Sequence, residues 1–433
     1  MHTQALTYQS NTAELFQHFA HLPYATLLDS CRHAQQQGRY DIMVADPIKL
    51  IAQDDADVFT AIQAALDEFN ITPTHTDFPF TIGAVGYLTY DIGRQLESIP
   101  NRAVDDIALP KSSMGIYDWS IIVDHHLKKT TLIHLLPKNN PRTQFIFDCL
   151  NASPPTEQPF SIEKPFQSNM TRDFYSTAFN TIKKHISAGD CYQVNLAQRF
   201  SAEFSGSAWQ AYQLLRTNNP APFAAFMRLP KAAILCMSPE RFLKVTDRIV
   251  ETKPIKGTAP RHADPEKDTA FAEQLCQSEK DRAENIMIVD LLRNDLSRTC
   301  IAGSVQVPQL CTLESFSNVH HLVSTIIGKL ADKNSALDLL QHCFPGGSIT
   351  GAPKIAAMKI IESLEPHRRS LYCGSIFYVD VNGSMDSNIV IRTVIADQNK
   401  MHCYAGGGIV FDSECEAEYQ ETRVKVDRIM QAL

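Results

Sequence analysis

The pattern of hydrophobic and polar positions predicts a mixed α+β protein. In the first third of the chain, short apolar or alternating runs predict strands at 40–45, 80–91, 115–124 and 130–136. Among them, DVFTAIQAALDEF at 57–69 carries its apolar residues at helical spacing and predicts a helix. We therefore expect antiparallel strands to dominate this part of the chain.

The rest of the chain predicts further helices and long antiparallel sheets. RDFYSTAFNTIKKHISAG has helical periodicity and ends in Gly189, a helix stop signal. Near the C-terminus, the strand-like runs GSIFYVDV and SNIVIRTVIAD flank Asn382 and Gly383, which form the strongest short hairpin signal. MHCYAGGGIVFD follows as another predicted strand.

A proline-rich segment predicts a division of the chain. NASPPTEQPFSIEKPFQSNM, at 151–170, contains four prolines and little hydrophobic periodicity. It predicts a linker or a long crossing loop between an N-terminal region, 1–150, and a C-terminal region, 171–433. A chain of 433 residues is long enough for such units.

Composition narrows the class of protein. With 44% hydrophobic residues, 20% charged residues and a net charge of −8, the chain is typical of globular proteins and argues against a general nucleic-acid partner. We expect no export signal, and no stretch reaches the roughly 18 apolar residues of a membrane span. The eleven cysteines show neither C-x-x-C pairs nor zinc spacing, so we expect a cytoplasmic protein.

The segment ETKPIKGTAPR places Lys256 between two prolines and directly before Gly257. The prolines exclude a helix interior and the glycine suits a tight turn, so the backbone fixes the direction of the lysine. One interpretation is a proline-rich turn with a solvated lysine. The other is a positioned amine that acts as a nucleophile.

MSPERF, sixteen residues before Lys256, predicts a hairpin with Glu240 at its tip and Pro239 in its turn. A simple ion pair with the neighbouring Arg241 is one interpretation. The other is that the returning strand brings Glu240 near Lys256, because an acid beside an amine suits proton transfer and nucleophilic attack.

The predicted helix SEKDRAENIMIVDLLRND has apolar residues on every side, which indicates a buried helix. Glu284 opens this apolar stretch, so we expect its carboxylate to be partly desolvated and to need a cation or strong donors. A first-turn glutamate favoured by the helix dipole, or paired with Arg282 or Arg293, gives the same pattern.

The predicted C-terminal helix carries Glu418, Glu421 and Lys425 in one stripe, at the border of its apolar face. This border suits groups that contact a ligand, although an exposed ion pair between Glu421 and Lys425 has the same spacing. Two helices that each offer carboxylates suit Mg²⁺, which binds one or two protein carboxylates and leaves positions for substrate oxygens.

Two further motifs suit a bound anion. Arg392 is predicted in the strand NIVIRTVI, on an otherwise apolar face, where it needs either a structural ion-pair partner or a substrate carboxylate. Gly406, Gly407 and Gly408 permit close approach of the backbone to a ligand and leave amides free to donate, with a simple bulge as the alternative.

The glycine-rich segment FPGGSITGAPK is not a nucleotide-binding loop. Two residues separate Gly351 from Lys354, whereas a phosphate-binding loop needs lysine directly after its second glycine. The hydroxyls of Ser348 and Thr350 still suit the lining of a small-molecule pocket.

Together these motifs resemble the chorismate-utilising enzymes. They follow the family's order from about residue 183 to 426, as GDCYQVNLAQRF, SPERF, PIKGTAPR, DRAENIMIVDLLRND, VHHLVSTI, FPGGSITGAPK, IRT, AGGGIV and EAEYQETRVK. HLPYATLLDS and GIYDWSIIVDH extend the resemblance over nearly the whole chain. PIKGT is similar to the aminodeoxychorismate branch of this family, because anthranilate synthases have alanine at the lysine position.

The resemblance implies two large, mainly antiparallel β-sheets packed as a sandwich and flanked by helices, as in anthranilate synthase component I. It implies amination of chorismate at C4 for 4-aminobenzoate and folate biosynthesis, with Lys256 as nucleophile and Glu240 as general acid. It further implies Mg²⁺ held by Glu284 and Glu421, with Glu418 nearby. The residues that match positions holding the substrate are Arg392, Lys425, His321, Thr350, Gly257, Gly406, Gly407 and Gly408.

The resemblance also implies partners. The chain lacks a glutaminase nucleophile motif, so we expect a heterodimer with a separate glutamine amidotransferase subunit that supplies ammonia, and a separate downstream lyase. LLDS, with Leu28, Asp29 and Ser30, resembles the segment that shapes a tryptophan pocket in this family.

Three alternatives stay open. Anthranilate synthase component I is a sister enzyme, and Lys256 argues against it. Isochorismate and salicylate synthases place a lysine near this motif differently and use water. A noncatalytic regulatory subunit that binds chorismate or tryptophan is the third, and the presence of Glu240, Lys256, Glu284 and Glu421 argues against it.

Overall fold

Two large β-sheets organise the computed structural model, which describes residues 1–31, 38–52, 57–71, 77–316 and 319–433. The strands are β1 His2–Leu6, β2 Thr26–Asp29, β3 Tyr40–Val44, β4 Lys49–Ile51, β5 Gly83–Leu88, β6 Ser112–Tyr117, β7 Trp119–Asp124, β8 Lys129–His134, β9 Ser161–Ser168, β10 Gln193–Ser205, β11 Phe223–Arg228, β12 Ala232–Ser238, β13 Arg241–Thr246, β14 Ile249–Thr252, β15 Ile255–Pro260, β16 Gln306–Ser315, β17 Val319–Lys329, β18 Gly351–Ala352, β19 Ser375–Asp380, β20 Met385–Asn388, β21 Thr393–Asp397 and β22 Lys400–Ile409. The helices are α1 Thr12–Phe16, α2 Val58–Asp67, α3 Gly93–Leu96, α4 Pro141–Asn151, α5 Arg172–Ala188, α6 Ala208–Asn218, α7 Pro265–Gln277, α8 Glu279–Ser297, α9 Ala336–Cys343, α10 Lys354–Leu364 and α11 Cys415–Ala432.

All the strand pairs within the two sheets are antiparallel across the described residues, as predicted. The first sheet has the order β1-β8-β7-β3-β2-β11-β12-β21-β22-β10-β18, with β9 also paired to β10. The second has the order β15-β17-β14-β13-β20-β19-β5-β6-β4, with β16 also paired to β17. The α+β class predicted from the sequence is therefore confirmed.

The main core lies between the two sheets. Ile234 and Ile395 of the first sheet share one apolar cluster with Leu243 and Phe377 of the second sheet, and all four are at most 3% exposed. Burial of apolar side chains between two facing sheets is the main source of stability in a sandwich. A second cluster on the other face of the first sheet packs against helices, including Tyr212 of α6. The predicted sandwich with flanking helices is confirmed.

Both sheets combine strands from the two predicted regions. In the first sheet, the strands from 1–150 are contiguous and meet the strands from 171–433 where β2 pairs with β11. In the second sheet, the same junction lies where β5 pairs with β19. The predicted linker, 151–170, contains β9, which pairs with β10. The division into two domains stays a prediction.

Several predicted elements are confirmed. The helix predicted at 57–69 is α2, whose N-cap Asp57 accepts hydrogen bonds from the amides of the first turn. Gly189 ends α5 in the left-handed conformation, with φ of 82°. Asn382 and Gly383 turn the chain between β19 and β20, and Gly383 has φ of 85°.

Three local predictions are wrong. The segment around Glu240 is not a hairpin, because β12 lies in the first sheet and β13 in the second, so the chain crosses between sheets there. The strand predicted around Arg392 is interrupted at 389–392, where the chain crosses back from β20 to β21 and Arg392 has φ of 50°. Helix α8 is not buried all round, since Ile286 is 40% exposed.

Among the described residues, no helix combines the length and the hydropathy that a membrane span requires.

Candidate active site

A β-bulge sets the direction of Lys256. In the pairing of β15 with β17, Ile255 lies opposite Val323 and Thr258 opposite His321, so β15 contains one extra residue between these pairs. A bulge bends an edge strand and re-aims its side chains. Gly257 completes the bulge with φ of 81°, a conformation that a residue with a Cβ adopts only at a cost. The proline-flanked lysine is thus held by an irregular edge strand.

Ser348 connects Lys256 to Glu240. The Lys256 Nζ donates to the carbonyl oxygen of Ser348 at 3.2 Å, and the Ser348 hydroxyl donates to Glu240 Oε1 at 3.2 Å. Glu240 is 8% exposed and lies where the chain crosses between the sheets. The candidate nucleophile and the candidate acid therefore contact the same serine, the first at its carbonyl oxygen and the second at its hydroxyl.

Burial moves both groups toward their neutral forms. It lowers the pKa of the Lys256 ammonium, although the carboxylates of Glu284 and Glu240 partly oppose this effect. It raises the pKa of the Glu240 carboxyl, although Lys256 and the Ser348 hydroxyl partly oppose this effect. A neutral amine is a nucleophile and a protonated carboxyl is an acid, so the shifts suit the chemistry expected of this pair.

The three candidate metal ligands lie on α8 and α11 and affect one another. Burial raises the pKa of Glu284, and the charge of Glu418 raises it further. Burial also raises the pKa of Glu418, with a further increase from Glu421, while the Ser413 hydroxyl donates to Glu418 Oε1 at 2.7 Å. Lys280 opposes the increase at Glu284 and Glu418. Glu284 and Glu418 are therefore near enough for the charge of one to affect the pKa of the other.

Lys425 and Glu421 form the exposed ion pair that their spacing allows. Lys425 Nζ lies 2.6 Å from Glu421 Oε1, and the side chains are 39% and 52% exposed. Burial disfavours the charge of Glu421, but Lys425 outweighs it and lowers the pKa of this carboxyl. Lys425 also donates to the carbonyl oxygen of Gly406 at 2.9 Å. An ion pair this exposed contributes little to stability and leaves the carboxylate accessible.

The glycine triplet is a regular part of β22, so the bulge alternative is wrong. Gly406, Gly407 and Gly408 pair in unbroken register with β10. A Cβ on Gly407 would lie 2.7 Å from Glu418 Oε2, and one on Gly408 would lie 2.3 Å from Gln193 Nε2. Glycine is therefore needed for close approach of these polar groups.

Two carboxamides beside the triplet have polar atoms without partners. In the described residues, both side-chain polar atoms of Gln193 and the Oδ1 of Asn195 are buried and make no hydrogen bond. Such groups cost free energy unless a ligand or water satisfies them. These three atoms are therefore available to a polar ligand or to water next to the glycine triplet.

Arg392 and His321 mark the cationic side of the site. Burial and the positive charge of Arg392 together lower the pKa of His321 to about 4. The Nδ1 of His321 lies 2.8 Å from the hydroxyl oxygen of Thr258, on the adjacent strand. Burial also lowers the pKa of Arg392, which is near enough to Glu240 to be affected by its charge. The charge of Arg392 therefore affects the pKa values of both the candidate acid and the histidine.

Thr350 lies in the loop that also carries Ser348. The side chain is fully buried, and its hydroxyl donates to the carbonyl of Gly346 at 3.1 Å. The carbonyl of Thr350 accepts from the amide of Asn195 at 2.9 Å, which joins this loop to β10. Hydrogen bonds thus connect Lys256, Glu240 and the loop at 346–350 to β10, the strand that pairs with the glycine triplet, and we refer to the region around them as the cleft.

A separate cavity contains the candidate tryptophan-binding residues. It has a volume of about 670 Å³ and lies between the sheets, with Leu28, Asp29 and Ser30 in its wall. The Asp29 carboxylate accepts from Arg216 Nε at 2.6 Å and from the Tyr212 hydroxyl at 3.0 Å. The Asp29 carboxylate is thus hydrogen-bonded to groups of the protein itself. Tryptophan binding stays a prediction, which a calorimetric titration with L-tryptophan tests.

Known proteins identify the family of this chain. The family model for chorismate binding enzymes matches residues 24–431. The chain belongs to the chorismate binding enzyme family. It is similar to aminodeoxychorismate synthase component 1 of Escherichia coli strain K12, with 46% identity over 99% of this chain and 97% of the relative. Its identity to aminodeoxychorismate synthase component 1 of Salmonella typhimurium strain LT2 is 47%, over 95% of this chain and 94% of that relative.

A solved structure supports the fold of this chorismate binding enzyme. Anthranilate synthase component I from Streptococcus pneumoniae TIGR4 aligns with a TM-score of 0.81 at 30% identity, covering 92% of this chain and 94% of that one. The fold predicted from the motif resemblance is therefore confirmed.

Sequence reasoning missed the residues that hold the chorismate-binding candidates in place. The sequence predicts Ser348 only as a hydroxyl that lines a pocket, whereas its carbonyl contacts Lys256. Gln193 and Asn195 lie in the motif GDCYQVNLAQRF, but their position next to the glycines depends on strand pairing. Lys280 precedes Glu284 by four residues, and that spacing is the signal by which it could have been found.

Proposed function

We propose that this chain aminates chorismate at C4 to give 4-amino-4-deoxychorismate, the activity of an aminotransferase-type aminodeoxychorismate synthase. The observation that carries the proposal is the placement of Lys256, whose pKa is lowered by burial and which shares Ser348 with Glu240. The names of two similar relatives support it, because they are aminodeoxychorismate synthase components at 46% and 47% identity.

In the proposed reaction, the neutral Lys256 amine attacks C2 of chorismate. The ring double bonds shift and the C4 hydroxyl leaves as water after it takes a proton from Glu240. Ammonia then attacks C4 and returns a proton to Glu240, the double bonds shift back, and the C2 bond to Lys256 breaks. The lysine returns to its amine form and the product carries the new amino group.

Magnesium is the cofactor that we propose. Among the described residues, no three histidine, cysteine or acidic side chains form a preformed metal cage. The carboxylates of Glu284 and Glu421, with Glu418 nearby, nevertheless fit Mg²⁺, which binds few protein groups and completes its shell with water and substrate oxygens. When bound, the ion would supply positive charge to the ring carboxylate of chorismate.

The cationic and donor groups of the cleft are proposed to hold the rest of chorismate. Arg392, with its planar fork of donors, suits a carboxylate, and Lys425 adds a second positive charge. A neutral His321 can donate or accept one hydrogen bond. Thr350, Gly257 and the amides of 406–408 are proposed to contact the substrate's pyruvyl group and carboxylates.

Ammonia is proposed to come from a separate glutamine amidotransferase subunit. The relatives' names include the words component 1, which agrees with an assembly of more than one chain. Conversion of the product to 4-aminobenzoate, for folate, is assigned to a separate lyase.

The test is the identity of the product. Purified protein is incubated with chorismate, Mg²⁺ and an ammonium salt, and the product is identified by mass spectrometry. We expect 4-amino-4-deoxychorismate, in which an amino group replaces a hydroxyl. A parallel sample with EDTA should make much less product, and excess Mg²⁺ should restore it.

Other products would support the alternatives. Anthranilate lacks the pyruvyl group and would identify anthranilate synthase chemistry. Isochorismate has the composition of chorismate and would identify addition of water. Binding of chorismate without any product would support the regulatory subunit, and each of these outcomes would contradict the proposal.

A further inference from the structure

A buried ion pair fills a gap in the first sheet beside the candidate active site. On the edge of β10 away from β22, β18 pairs with residues 193–194, and β9 pairs with residues 200–205. In the described chain neither strand reaches 195–199. Backbone groups in such a gap need other partners, because an unpaired buried amide or carbonyl is costly.

Glu365 and Arg369 supply these partners. Glu365 Oε1 accepts from the amide of Ala197 at 2.9 Å, and Arg369 Nη2 donates to the carbonyl of Asn195 at 2.7 Å. The two side chains bind each other through Arg369 Nη2 at 2.7 Å and Nε at 3.0 Å. Ala197 lies opposite Gly406, and Asn195 lies opposite Gly408, so the pair holds the strand on which the glycine triplet rests.

The same guanidinium also holds the loop that carries Ser348 and Thr350. Arg369 Nη1 donates to the carbonyl of Ile349 at 3.1 Å and lies 3.7 Å from Cys373 Sγ. All five N–H donors of Arg369 therefore have partners. Its side chain is 1% exposed. Burial disfavours the charge of Arg369, but Glu365 outweighs that effect and raises the pKa of the guanidinium.

We propose that Glu365 and Arg369 are positioning residues for chorismate, which fix the loop at 346–350 and the glycine triplet relative to each other. The inference rests on the proposed function, because it assigns Thr350 and the triplet to substrate binding. Lysine cannot replace Arg369, since a compact ammonium with three donors cannot reach the Glu365, Asn195 and Ile349 partners of the planar fork at once.

The test compares Arg369→Lys with a matched control. The control is Arg94→Lys, because Arg94 also forms a largely buried ion pair with a glutamate of α10, Glu362, but this glutamate accepts from the amides of Arg102 and Ala103 and, in the described chain, from no residue of β10. We expect Arg369→Lys to raise the KM for chorismate about tenfold, with a smaller fall in kcat. Arg94→Lys should lower the Tm without a change in KM.

A second measurement separates this inference from the proposed function. The dissociation constant of chorismate is measured by calorimetry with Mg²⁺ in a Lys256→Ala background, where no nucleophile is present. Weaker binding in the added Arg369→Lys variant supports the positioning role even if the wild-type product is not 4-amino-4-deoxychorismate. Unchanged binding overturns the positioning role even if that product forms.

A milder variant covers the case in which Arg369→Lys does not fold. Glu365→Asp keeps the charge beside Arg369 but withdraws the carboxylate from the amide of Ala197. We expect a rise in KM of about threefold. An unchanged KM in the folded Glu365→Asp protein, or an equal rise in Arg94→Lys, would overturn the proposal.

Discussion

The cleft around Lys256 and the cavity around Asp29 differ in how their charged groups are partnered. In the cavity, Asp29 accepts from Arg216, from Tyr212 and from the amide of Cys31. In the cleft, among the described residues, the side-chain hydrogen bonds of Lys256 and Glu240 involve only the carbonyl and hydroxyl of Ser348. Fully partnered charges stabilise a fold, whereas charges with few partners are available to a ligand.

The two regions also differ in how burial changes the pKa of their cationic side chains. The Arg216 guanidinium lies beside Asp29 and remains charged, because the carboxylate raises its pKa although burial opposes the charge. Lys256 has carboxylates near it, but burial dominates and lowers its pKa. The cleft therefore holds an amine close to its reactive form. Four experiments test this comparison.

Replacement of the amine should have the largest effect. Lys256→Ala should reduce the rate of 4-amino-4-deoxychorismate formation by about 10³-fold or more, because no nucleophile remains. The rate is measured by chromatography of the product, and diversion to anthranilate is a second expected outcome. Lys253→Ala is the matched control, since Lys253 is ion-paired with Glu314 and lies three residues away. An unchanged rate in Lys256→Ala would exclude the covalent role.

Loss of the acid should have the next largest effect. Glu240→Gln keeps the shape of the side chain but cannot give a proton to the C4 hydroxyl, so kcat should fall about 10²-fold or more. Steady-state kinetics measure it. Glu251→Gln serves as control, because Glu251 lies on β14 and accepts from Arg241. A kcat within about twofold of wild type would show that another group protonates the leaving hydroxyl.

The pH dependence should be bell-shaped. Lys256 must be neutral, which favours high pH, and its lowered pKa extends this condition to lower pH. Glu240 must be protonated, which favours low pH, and its raised pKa extends this condition to higher pH. Each limb should change about tenfold per pH unit, with apparent pKa values that belong to the coupled pair. The ordinary pKa values of glutamate and lysine are about 4 and about 10. A kcat that stays constant between about pH 5 and about pH 10 would therefore contradict this assignment.

The cavity should respond in stability and not in rate. Arg216→Met leaves the buried carboxylate of Asp29 without its cation, so the free energy of unfolding should fall by about 3 kcal/mol. Urea denaturation measures it. Arg39→Met is the control, because the Arg39 and Asp124 pair is more exposed and should contribute less than about 1 kcal/mol. A slower kcat in Arg216→Met, without a change in stability, would break the distinction between the two regions.

Much of the fold could be predicted from local pattern. The helices at α2 and α5 and the turn at Asn382 and Gly383 depend on neighbouring residues, and periodicity and turn chemistry identify them. Crossing points between sheets cannot be read in this way. The residues around Glu240 and Arg392 look like ordinary strand and turn sequence, and only the pairing of the flanking strands shows that the chain changes sheet.

Motifs predict the candidate site residue by residue, but they do not predict Glu365 and Arg369, which hold its parts in place. The contacts of Arg369 with Asn195 and Ile349 are to backbone carbonyls, which leave no signal in residue type. Glu365 and Arg369 do have the four-residue spacing of a helical ion pair, but α10 ends at Leu364 and the pair lies beyond it. Spacing rules for helices therefore gave no reason to select them.

The junction of β5 with β19 has a consequence for synthesis of the protein on the ribosome. Thr81, next to β5, donates from its amide and its hydroxyl to Asp380, 299 residues later. The second sheet therefore stays incomplete until the last part of the chain has been translated. Until then, newly made N-terminal strands expose unpaired edges, which are prone to aggregation, and we expect chaperones to protect them in the cell.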